Sequence, residues 1–431
     1  MSTRLTPIDA FYAMTKVIDV TWFFVGKVDR QQLATSLQTL TQRYPALASR
    51  VVRTSPLSLF GRALNKNSPL CDVELQHVST GIHLSHASIP GQSAAEASAC
   101  AHQHRGKDIY IPTPLAADIA NGKRGVMEVK LTHFEHGGSA LGVAISHGVV
   151  DAKGFHLIVG ELAQCYRSGG TGLLDSSSMQ FDSTRQYLET ARNCWDLETR
   201  KAEWEQDFYE KDFEDESIDI TGFKGELWFW FLRRMAAPSI HARNSRASVV
   251  FSNEETTFST ARAIQKVVQH LPSHLYPTGD VHLCATIDLR REPSIPNLYT
   301  GNAVYFASKT TSIFEIGTTF ARLRKEPSEH LLTACKKYLD CLKKGRLMSP
   351  NKMIAGFPQL CVNSQLRVID ASDLARHNLF DAGACLRVLP GHSDHLQVVP
   401  SMLDEKSVEI IVNVNSLQKN WIERLESMET V

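Results

Sequence analysis

The chain is predicted to be an α/β protein, because segments typical of strands and of helices alternate through both of its halves. Residues 125–134 alternate in polarity, and the turn residues Gly137 and Gly138 join them to the apolar run 140–146, as in a β-hairpin. A helical repeat of apolar residues follows over 154–162. Strand, strand and helix therefore form one compact unit in the first half of the chain.

Near the N-terminus, residues 21–26 are predicted to form a buried strand, and a helix is predicted to follow it. Asp29 is expected to cap that helix, with Gln32 three residues later completing a capping box. Pro45 is expected to end the helix, because proline fits poorly inside a helix. Between these two signals, side chains repeat at helical spacing at Leu33, Leu37, Leu40 and Tyr44.

The middle of the chain, residues 168–217, is predicted to be a solvated, partly helical connection, because it begins with a glycine-rich stretch and continues with dense charge. The aromatic run 227–232 after it is interpreted as a buried strand, with ligand stacking as the alternative. The further strands predicted in the second half are 281–287, 304–307, 397–400 and 407–414, and a helix with a basic face is predicted at 328–345.

The composition is that of an ordinary globular protein and excludes several classes. Of 431 residues, 43% are hydrophobic, and 46 basic residues balance 46 acidic ones. This balance argues against binding to nucleic acid or to an acidic membrane. No apolar run has the length of a transmembrane helix, and the N-terminus lacks the apolar core of a secretion signal. Nine dispersed cysteines without a CxxC pair favour reduced thiols and a cytoplasmic location.

His147 is the strongest candidate for a catalytic residue, because it stands where the predicted strand 140–146 meets the helix. Asp151 follows four residues later, which fits a histidine general base with a structural anchor and favours group transfer to a hydroxyl or amine. The same spacing occurs after His104 and His377, but only His147 lies at a strand-to-helix junction. A buried histidine with a satisfied hydrogen bond is the alternative, and the local context supports both interpretations equally.

Several other kinds of site are not predicted. The sequence has no phosphate-binding loop, no dinucleotide-binding glycine pattern after a strand and no nucleophile elbow of a serine hydrolase. The histidine pairs at 102–104 and 392–395 have no further ligands at a recognisable spacing, so no metal site is predicted.

Two arginines in the second half are predicted to hold a buried carboxylate. Arg290 and Arg291 directly follow a predicted strand, and a guanidinium binds a carboxylate through two parallel hydrogen bonds. Asp151 and Asp381 are the candidate partners.

Taken together, these segments resemble the BAHD acyltransferase family, in particular its fungal secondary-metabolite branch. The resemblance extends over most of the chain. Residues 129–151 are similar to the family's strand, glycine turn, strand and HxxxD signature. The other matching segments are LTPID at 5–9, RYPALASR at 43–50, DLRR at 288–291 and YTGNA at 299–303. Residues 380–384 stand where the family has DFGWG.

The resemblance implies an α/β fold of two pseudo-symmetric sandwich domains, each like chloramphenicol acetyltransferase, with a tunnel between them. The implied bounds are 1–190 for the domain that carries HxxxD, 191–225 for a crossover linker and 226–431 for the C-terminal domain. Acyl-coenzyme A, in the first place acetyl-coenzyme A, would enter the tunnel from one side and a small-molecule acceptor from the other. No permanent cofactor, metal, nucleic acid or membrane partner is implied, and we expect a monomer.

The resemblance also implies roles for individual residues. His147 would deprotonate the acceptor hydroxyl as that oxygen attacks the thioester. Asp151 would point away from the substrate, pair with Arg290 and fix the loop that orients His147. The residues implied to contact coenzyme A are Asn302, Asn363 and Ser364, and those implied to be structural are Asp381, at the domain interface, and Gly383.

Two departures from the family pattern leave a second hypothesis open. The DFGWG segment has lost its Phe and Trp, and Asn363 stands where the family often has a Thr whose hydroxyl assists the oxyanion. A repurposed member would use His147 for a dehydration, cyclisation or isomerisation without coenzyme A, and a binding or scaffold protein is a third hypothesis. We favour acyl transfer to a hydroxyl of a small secondary metabolite, because the HxxxD unit is intact.

Overall fold

The computed structural model describes part of the chain. The described residues are 2–5, 9, 12–13, 17–53, 73–78, 80–100, 110–112, 118–119, 121–169, 217–218, 244–251, 260–269, 279–288, 290, 299–325, 347–348, 359–364, 380, 382–383, 385–390, 396–400 and 408–415. The predicted strand 227–232, the predicted helix 328–345, nearly all of the predicted connection, and Asp381 lie outside the described residues.

The described strands and helices follow one another along both halves of the chain. In chain order the strands are β1 (Ser2–Arg4), β2 (Val17–Phe24), β3 (Ser49–Arg53), β4 (Val73–His77), β5 (His83–Ile89), β6 (Met127–Phe134), β7 (Ser139–Ser146), β8 (Ser217–Ile218), β9 (Asn244–Phe251), β10 (Asp280–Asp288), β11 (Val304–Ser312), β12 (Leu347–Met348), β13 (Gln359–Ser364), β14 (Cys385–Pro390), β15 (Leu396–Pro400) and β16 (Val408–Asn415). The helices are α1 (Arg30–Arg43), α2 (Ala94–Cys100), α3 (Ala152–Arg167), α4 (Thr260–Gln269) and α5 (Ile316–Leu323), and a 3-10 turn spans Pro45–Ala48.

The first large sheet has the strand order β14-β2-β7-β6-β5. Its strands are antiparallel neighbours except for β5 and β6, which run parallel. β14 comes from the C-terminal part of the chain, yet it pairs with β2 and sets Val388 opposite Trp22. A strand from the predicted segment 226–431 therefore completes the sheet that carries the HxxxD unit.

β7 is the middle strand of this sheet and is buried along its whole length. The predicted hairpin is confirmed, because Gly137 and Gly138 adopt φ values of 111° and 85° and connect β6 to β7. Such positive φ values suit glycine, which lacks a Cβ. Since both faces of β7 are covered, the residues that follow Ser146 leave the sheet from a rigid support.

Helix α3 buries an apolar face in the core beside this sheet. Phe155, Ile158 and Leu162 recur at helical spacing and are fully buried. The ring of Phe155 stacks on Trp22 of β2 with centroids 6.1 Å apart. Burial of each such side chain contributes roughly 1.5–3 kcal/mol to stability. This packing fixes α3, and with it the turn between β7 and α3.

The start of α1 is held by a tertiary contact. The predicted cap is confirmed, because the Asp29 carboxylate accepts a 2.7 Å hydrogen bond from the amide nitrogen of Gln32. The other half of the predicted capping box is wrong: the Gln32 side chain donates to the carbonyl oxygen of Tyr166 at 2.6 Å. The Asp29 amide in turn donates to the Tyr166 hydroxyl at 2.8 Å. Tyr166 in the last turn of α3 thus takes both hydrogen bonds that a capping box would have made within α1. Helix α1 ends at Arg43, before Pro45 as predicted.

A buried polar cluster joins α1 to α3. The Glu161 carboxylate accepts a hydrogen bond from the Tyr44 hydroxyl and pairs with the Arg43 guanidinium at 2.5 Å. Burial raises the pKa of the Glu161 carboxyl, and this effect outweighs the lowering by Tyr44 and Arg43. Burial, together with the neighbouring Glu161, also raises the pKa of the Tyr44 hydroxyl.

The second large sheet has the strand order β11-β10-β13-β15-β16-β9. β13 runs parallel to both β10 and β15, and the other neighbours are antiparallel. Helices α4 and α5 pack on each other, and the Gln265 amide links them by accepting from the Gly317 nitrogen at 2.9 Å and donating to the Ile313 carbonyl at 2.6 Å. The smaller sheets are β1-β4-β3 and β8-β12.

Mixed sheets with associated helices thus occur in both halves, which confirms the predicted α/β class. None of the helices in the described ranges has both the length and the apolar character that crossing a membrane requires.

Candidate active site

The candidate site is built around His147, which follows the last residue of β7 and precedes α3. The side chain is half-buried. Gly148 brings this turn against the N-terminal segment: a Cβ on Gly148 would overlap Ala13 and lie 2.8 Å from the carbonyl oxygen of Asp9. A glycine is therefore required for the close approach of these two backbones.

Two side chains hold the imidazole of His147 in place. The ring of Tyr12 stacks on it with centroids 4.4 Å apart and an angle of 22° between the planes. The ring atom Nδ1 lies 2.9 Å from Oδ1 of Asn302. Sequence reasoning missed Tyr12, because nothing local relates residue 12 to residue 147.

The orientation of the Asn302 amide is fixed by its other hydrogen bonds. Its Nδ2 donates to the Asp9 carboxylate at 2.8 Å and to the carbonyl oxygen of His147 at 2.7 Å. Both partners are acceptors, so the atom facing them is the amide nitrogen and the atom facing His147 Nδ1 is the oxygen. Nδ1 of the neutral imidazole therefore carries the hydrogen, and Nε2 carries the lone pair.

Asp151 is fully buried and acts as the N-cap of α3. Its Oδ1 accepts a 2.8 Å hydrogen bond from the amide nitrogen of Gly154 and a 2.8 Å charged hydrogen bond from Nη2 of Arg290. Its Oδ2 accepts from the amide nitrogen of Ala303 at 2.8 Å. The predicted pairing of Asp151 with Arg290 is confirmed. The predicted two parallel hydrogen bonds are wrong, because only Nη2 bonds to the Asp151 carboxylate, while Nε and Nη1 donate to the Tyr299 carbonyl oxygen and to Asp288.

Arg290 connects this carboxylate to the loop that carries Asn302. Its Nε donates to the carbonyl oxygen of Tyr299 at 2.8 Å, and Nη2 donates to that of Gly301 at 2.8 Å. Burial of the guanidinium opposes its charge, but the Asp151 and Asp288 carboxylates outweigh burial and raise the pKa of Arg290. The arginine is thus a permanent cation at the junction of the two halves.

The backbones of α3 and of this loop are in direct contact. A Cβ on Gly154 would overlap the carbonyl oxygen of Thr300. Gly154 is therefore required where the first turn of α3 meets the Asn302 loop. The sequence signal for this contact was the glycine three residues after Asp151, which sequence analysis did not interpret.

The structure places the residues implied to contact coenzyme A in two different settings. The amide of Asn302 already bonds to His147 and Asp9, as described above. Asn363 and Ser364 end β13, beside the strand β10 that leads to Arg290, and both are half-buried. The Ser364 hydroxyl accepts a 3.3 Å hydrogen bond from Nη1 of Arg324. No hydrogen bond among the described residues joins these two to His147.

The segment that replaces DFGWG packs against the first sheet. Phe380 is fully buried with its ring centroid 5.6 Å from that of Phe24, and the Ala382 carbonyl accepts from the Gly26 amide at 2.5 Å. Gly383 has a φ of 83°, which explains a glycine there. The segment therefore lies where β14 enters the first sheet.

Within the described ranges, no group of three or more histidine, cysteine or acidic side chains is arranged to bind a metal ion. The histidine pairs at 102–104 and 392–395 lie outside those ranges.

Comparison with known proteins connects this geometry to a family and a fold. The profile of the Transferase family matches residues 111–369. No curated protein sequence matches the chain significantly. Among solved structures, TRI101 from F. sporotrichioides, in a complex with coenzyme A and T-2, has a TM-score of 0.67 at 14% identity, covering 100% of this chain and 97% of the other.

Two further solved structures share the fold. Vinorine synthase has a TM-score of 0.58 at 14% identity, with 97% of this chain and 91% of the other covered. The first condensation domain of the calcium-dependent antibiotic synthetase has a TM-score of 0.58 at 13% identity, with coverages of 99% and 94%. At such identities the likeness concerns the fold alone, and it confirms the predicted two-domain α/β fold of the chloramphenicol acetyltransferase type.

Proposed function

This chain belongs to the Transferase family of BAHD-type acyltransferases, and from that premise we propose that it transfers an acyl group from coenzyme A to a hydroxyl of a small molecule, with His147 as the general base. We further propose acetyl as the acyl group and a hydroxylated secondary metabolite as the acceptor. The TRI101 structures, which share this fold, contain coenzyme A together with T-2 or deoxynivalenol, which supports coenzyme A as the carrier of the acyl group and a small molecule as the acceptor.

One observation carries the proposal: the Asn302 amide fixes which nitrogen of His147 bears the hydrogen. With Nδ1 donating to Oδ1 of Asn302 at 2.9 Å, the lone pair lies on Nε2. A general base needs such a lone pair at the atom that meets the acceptor hydroxyl. The stacked ring of Tyr12 limits rotation of the imidazole, so the base is oriented before substrate binds.

The proposed reaction has two steps. Nε2 of His147 takes the hydroxyl proton of the acceptor as its oxygen forms a bond to the thioester carbonyl carbon. The tetrahedral oxyanion then collapses, the carbon–sulfur bond breaks, and the coenzyme A thiolate receives the proton from the imidazolium. General base catalysis of this kind is worth roughly 10²–10⁴-fold in rate, so positioning and oxyanion stabilisation must contribute the rest. We propose the half-buried Asn363 amide as an oxyanion donor.

We assign Asp151 an indirect role in this reaction. Its carboxylate oxygens bond to the first turn of α3, to Arg290 and to the Ala303 amide. It therefore holds the turn that carries His147 against the loop that carries Asn302. This arrangement supports a site between the predicted domains 1–190 and 226–431.

A direct test uses purified protein with acetyl-coenzyme A and a panel of small alcohols, and follows release of the coenzyme A thiol. We expect His147→Ala to lower kcat/KM by roughly 10²–10⁴-fold. The matched control is His136→Ala, which removes an exposed histidine from the β6–β7 turn and should retain full activity. Wild-type activity in His147→Ala would contradict the proposed base.

The alternative is a dehydration, cyclisation or isomerisation that uses His147 without coenzyme A. It is favoured by the engagement of the Asn302 amide with Asp9 and His147, which removes one implied coenzyme A contact. Calorimetric titration with coenzyme A separates the two candidates. Binding in the micromolar range supports acyl transfer, and absence of binding at millimolar concentration favours the alternative.

A further inference from the structure

We propose that Asp9 is a positioning residue that strengthens His147 as a base through Asn302, a role that rests on the proposed function of His147. The three side chains form a relay from carboxylate to amide to imidazole. Asp9 Oδ1 accepts from Asn302 Nδ2 at 2.8 Å, and Asn302 Oδ1 accepts from His147 Nδ1 at 2.9 Å. The end members come from segments that are far apart in the sequence.

Burial allows the charge of Asp9 to act on the His147 imidazole across the intervening Asn302 amide. Asp9 is 4% exposed and Asn302 is 3% exposed. A carboxylate removed from water is screened less than one on the surface, so its field reaches the imidazole across the amide. When His147 accepts a proton, the positive charge is shared with Nδ1, and the polarised Asn302 oxygen stabilises it.

Asp9 also selects the orientation of the amide. If the Asn302 side chain turned over, its oxygen would face the Asp9 carboxylate and the His147 carbonyl, and its nitrogen would face Nδ1. Two hydrogen bonds would be replaced by contacts between acceptors, which is costly in a buried site. Asp9 therefore helps to keep the lone pair of His147 on Nε2.

Among the described residues, the carboxylates of Asp151 and Asp288 bond to groups other than the His147 side chain. Asp151 bonds to Arg290, Gly154 and Ala303, and Asp288 bonds to Arg290 at 3.0 Å. Tyr12 contacts the imidazole through its ring face. Among the described hydrogen bonds, Asp9 is the carboxylate joined to the imidazole through a single side chain.

The experiment compares wild type with Asp9→Asn, which keeps an acceptor oxygen but removes the charge. The first readout is the pH titration of the ¹⁵N-labelled His147 ring by NMR. We expect the midpoint to fall by about one pH unit, because the imidazolium loses a nearby negative charge. The second readout is kcat/KM against pH: its acid limb should shift to lower pH by the same amount and its plateau should fall about tenfold.

The control is Asp29→Asn, which removes a carboxylate from the cap of α1 and should leave the His147 midpoint unchanged. An unchanged midpoint in folded Asp9→Asn would overturn the relay. If Asp9→Asn does not fold, Asn302→Ala interrupts the same relay, and the same fall in midpoint is required. The NMR readout does not depend on acyl transfer, so failure of the relay is distinguishable from failure of the proposed reaction.

Discussion

Asp151 and Arg290 are 139 positions apart in the chain, yet their side chains meet at 2.8 Å with exposed fractions of 0% and 1%. The carboxylate caps α3, and the guanidinium bonds to the carbonyl oxygens of Tyr299 and Gly301. This ion pair therefore joins the first turn of α3, which follows His147, to the loop that carries Asn302. A change in the geometry of this pair would displace both the turn that carries His147 and the loop that carries Asn302.

We predict that Asp151→Asn lowers the free energy of unfolding by about 3 kcal/mol, because it leaves the buried guanidinium of Arg290 without its nearest counter-charge. Urea denaturation measures this change. Activity should fall as well, since the turn that holds His147 loses its anchor.

The matched control is Asp288→Asn. The Asp288 carboxylate also bonds to Arg290, at 3.0 Å, but its side chain is 35% exposed. Removal of its charge should therefore cost less than about 1 kcal/mol. Equal losses in the two variants would show that burial does not set the strength of this network.

The local parts of this architecture could be predicted from the sequence. The β6–β7 hairpin follows from alternating polarity and two turn glycines, and the cap of α1 follows from Asp29. Their determinants lie within a few residues of each other, so a sequence pattern contains them. The Asp151–Arg290 pair is distant in the chain and was predicted through the family resemblance together with the carboxylate-binding geometry of arginine.

Other features depend on tertiary contacts that no sequence pattern records. Gln32 does not bond to its own helix cap, because the Asp29 amide donates to the Tyr166 hydroxyl and the Gln32 side chain donates to the Tyr166 carbonyl oxygen. β14 pairs with β2 in the first sheet although the two strands lie at opposite ends of the chain. Tyr12 stacks on His147, and Asp9 bonds to Asn302, in a segment whose close approach to the His147 turn requires the glycine at 148. In each case the deciding neighbour is far away in sequence.

We predict opposite effects of alanine at two glycines of α3. Gly154→Ala should lower stability by about 1–3 kcal/mol, because the new methyl overlaps the Thr300 carbonyl oxygen. Displacement of that loop also moves Asn302, and a misplacement of about 1 Å lowers activity on the order of 10²-fold.

Gly160→Ala provides the comparison on the same helix. No atom lies within 4 Å of a Cβ at Gly160, so the change should stabilise the protein by up to about 1 kcal/mol through helix propensity. Thermal and urea unfolding measure both variants. Similar stability changes in the two would contradict a steric requirement at Gly154.

The buried Glu161 carboxyl should make stability decrease with rising pH. Burial raises its pKa in the folded protein above the ordinary value of 4.5, so its contribution is fully present below about pH 4.5 and is lost as the pH rises through the raised value. Glu161→Gln should therefore gain stability relative to wild type between about pH 4 and pH 7, measured by urea denaturation at each pH.

Glu96→Gln is the control of opposite sign. Hydrogen bonds from the Ser93 amide and hydroxyl lower the pKa of the Glu96 carboxyl, so the contribution of Glu96 to stability is lost as the pH falls. If the free energies of unfolding of wild type and Glu161→Gln differ by the same amount at every pH, burial does not perturb the Glu161 carboxyl.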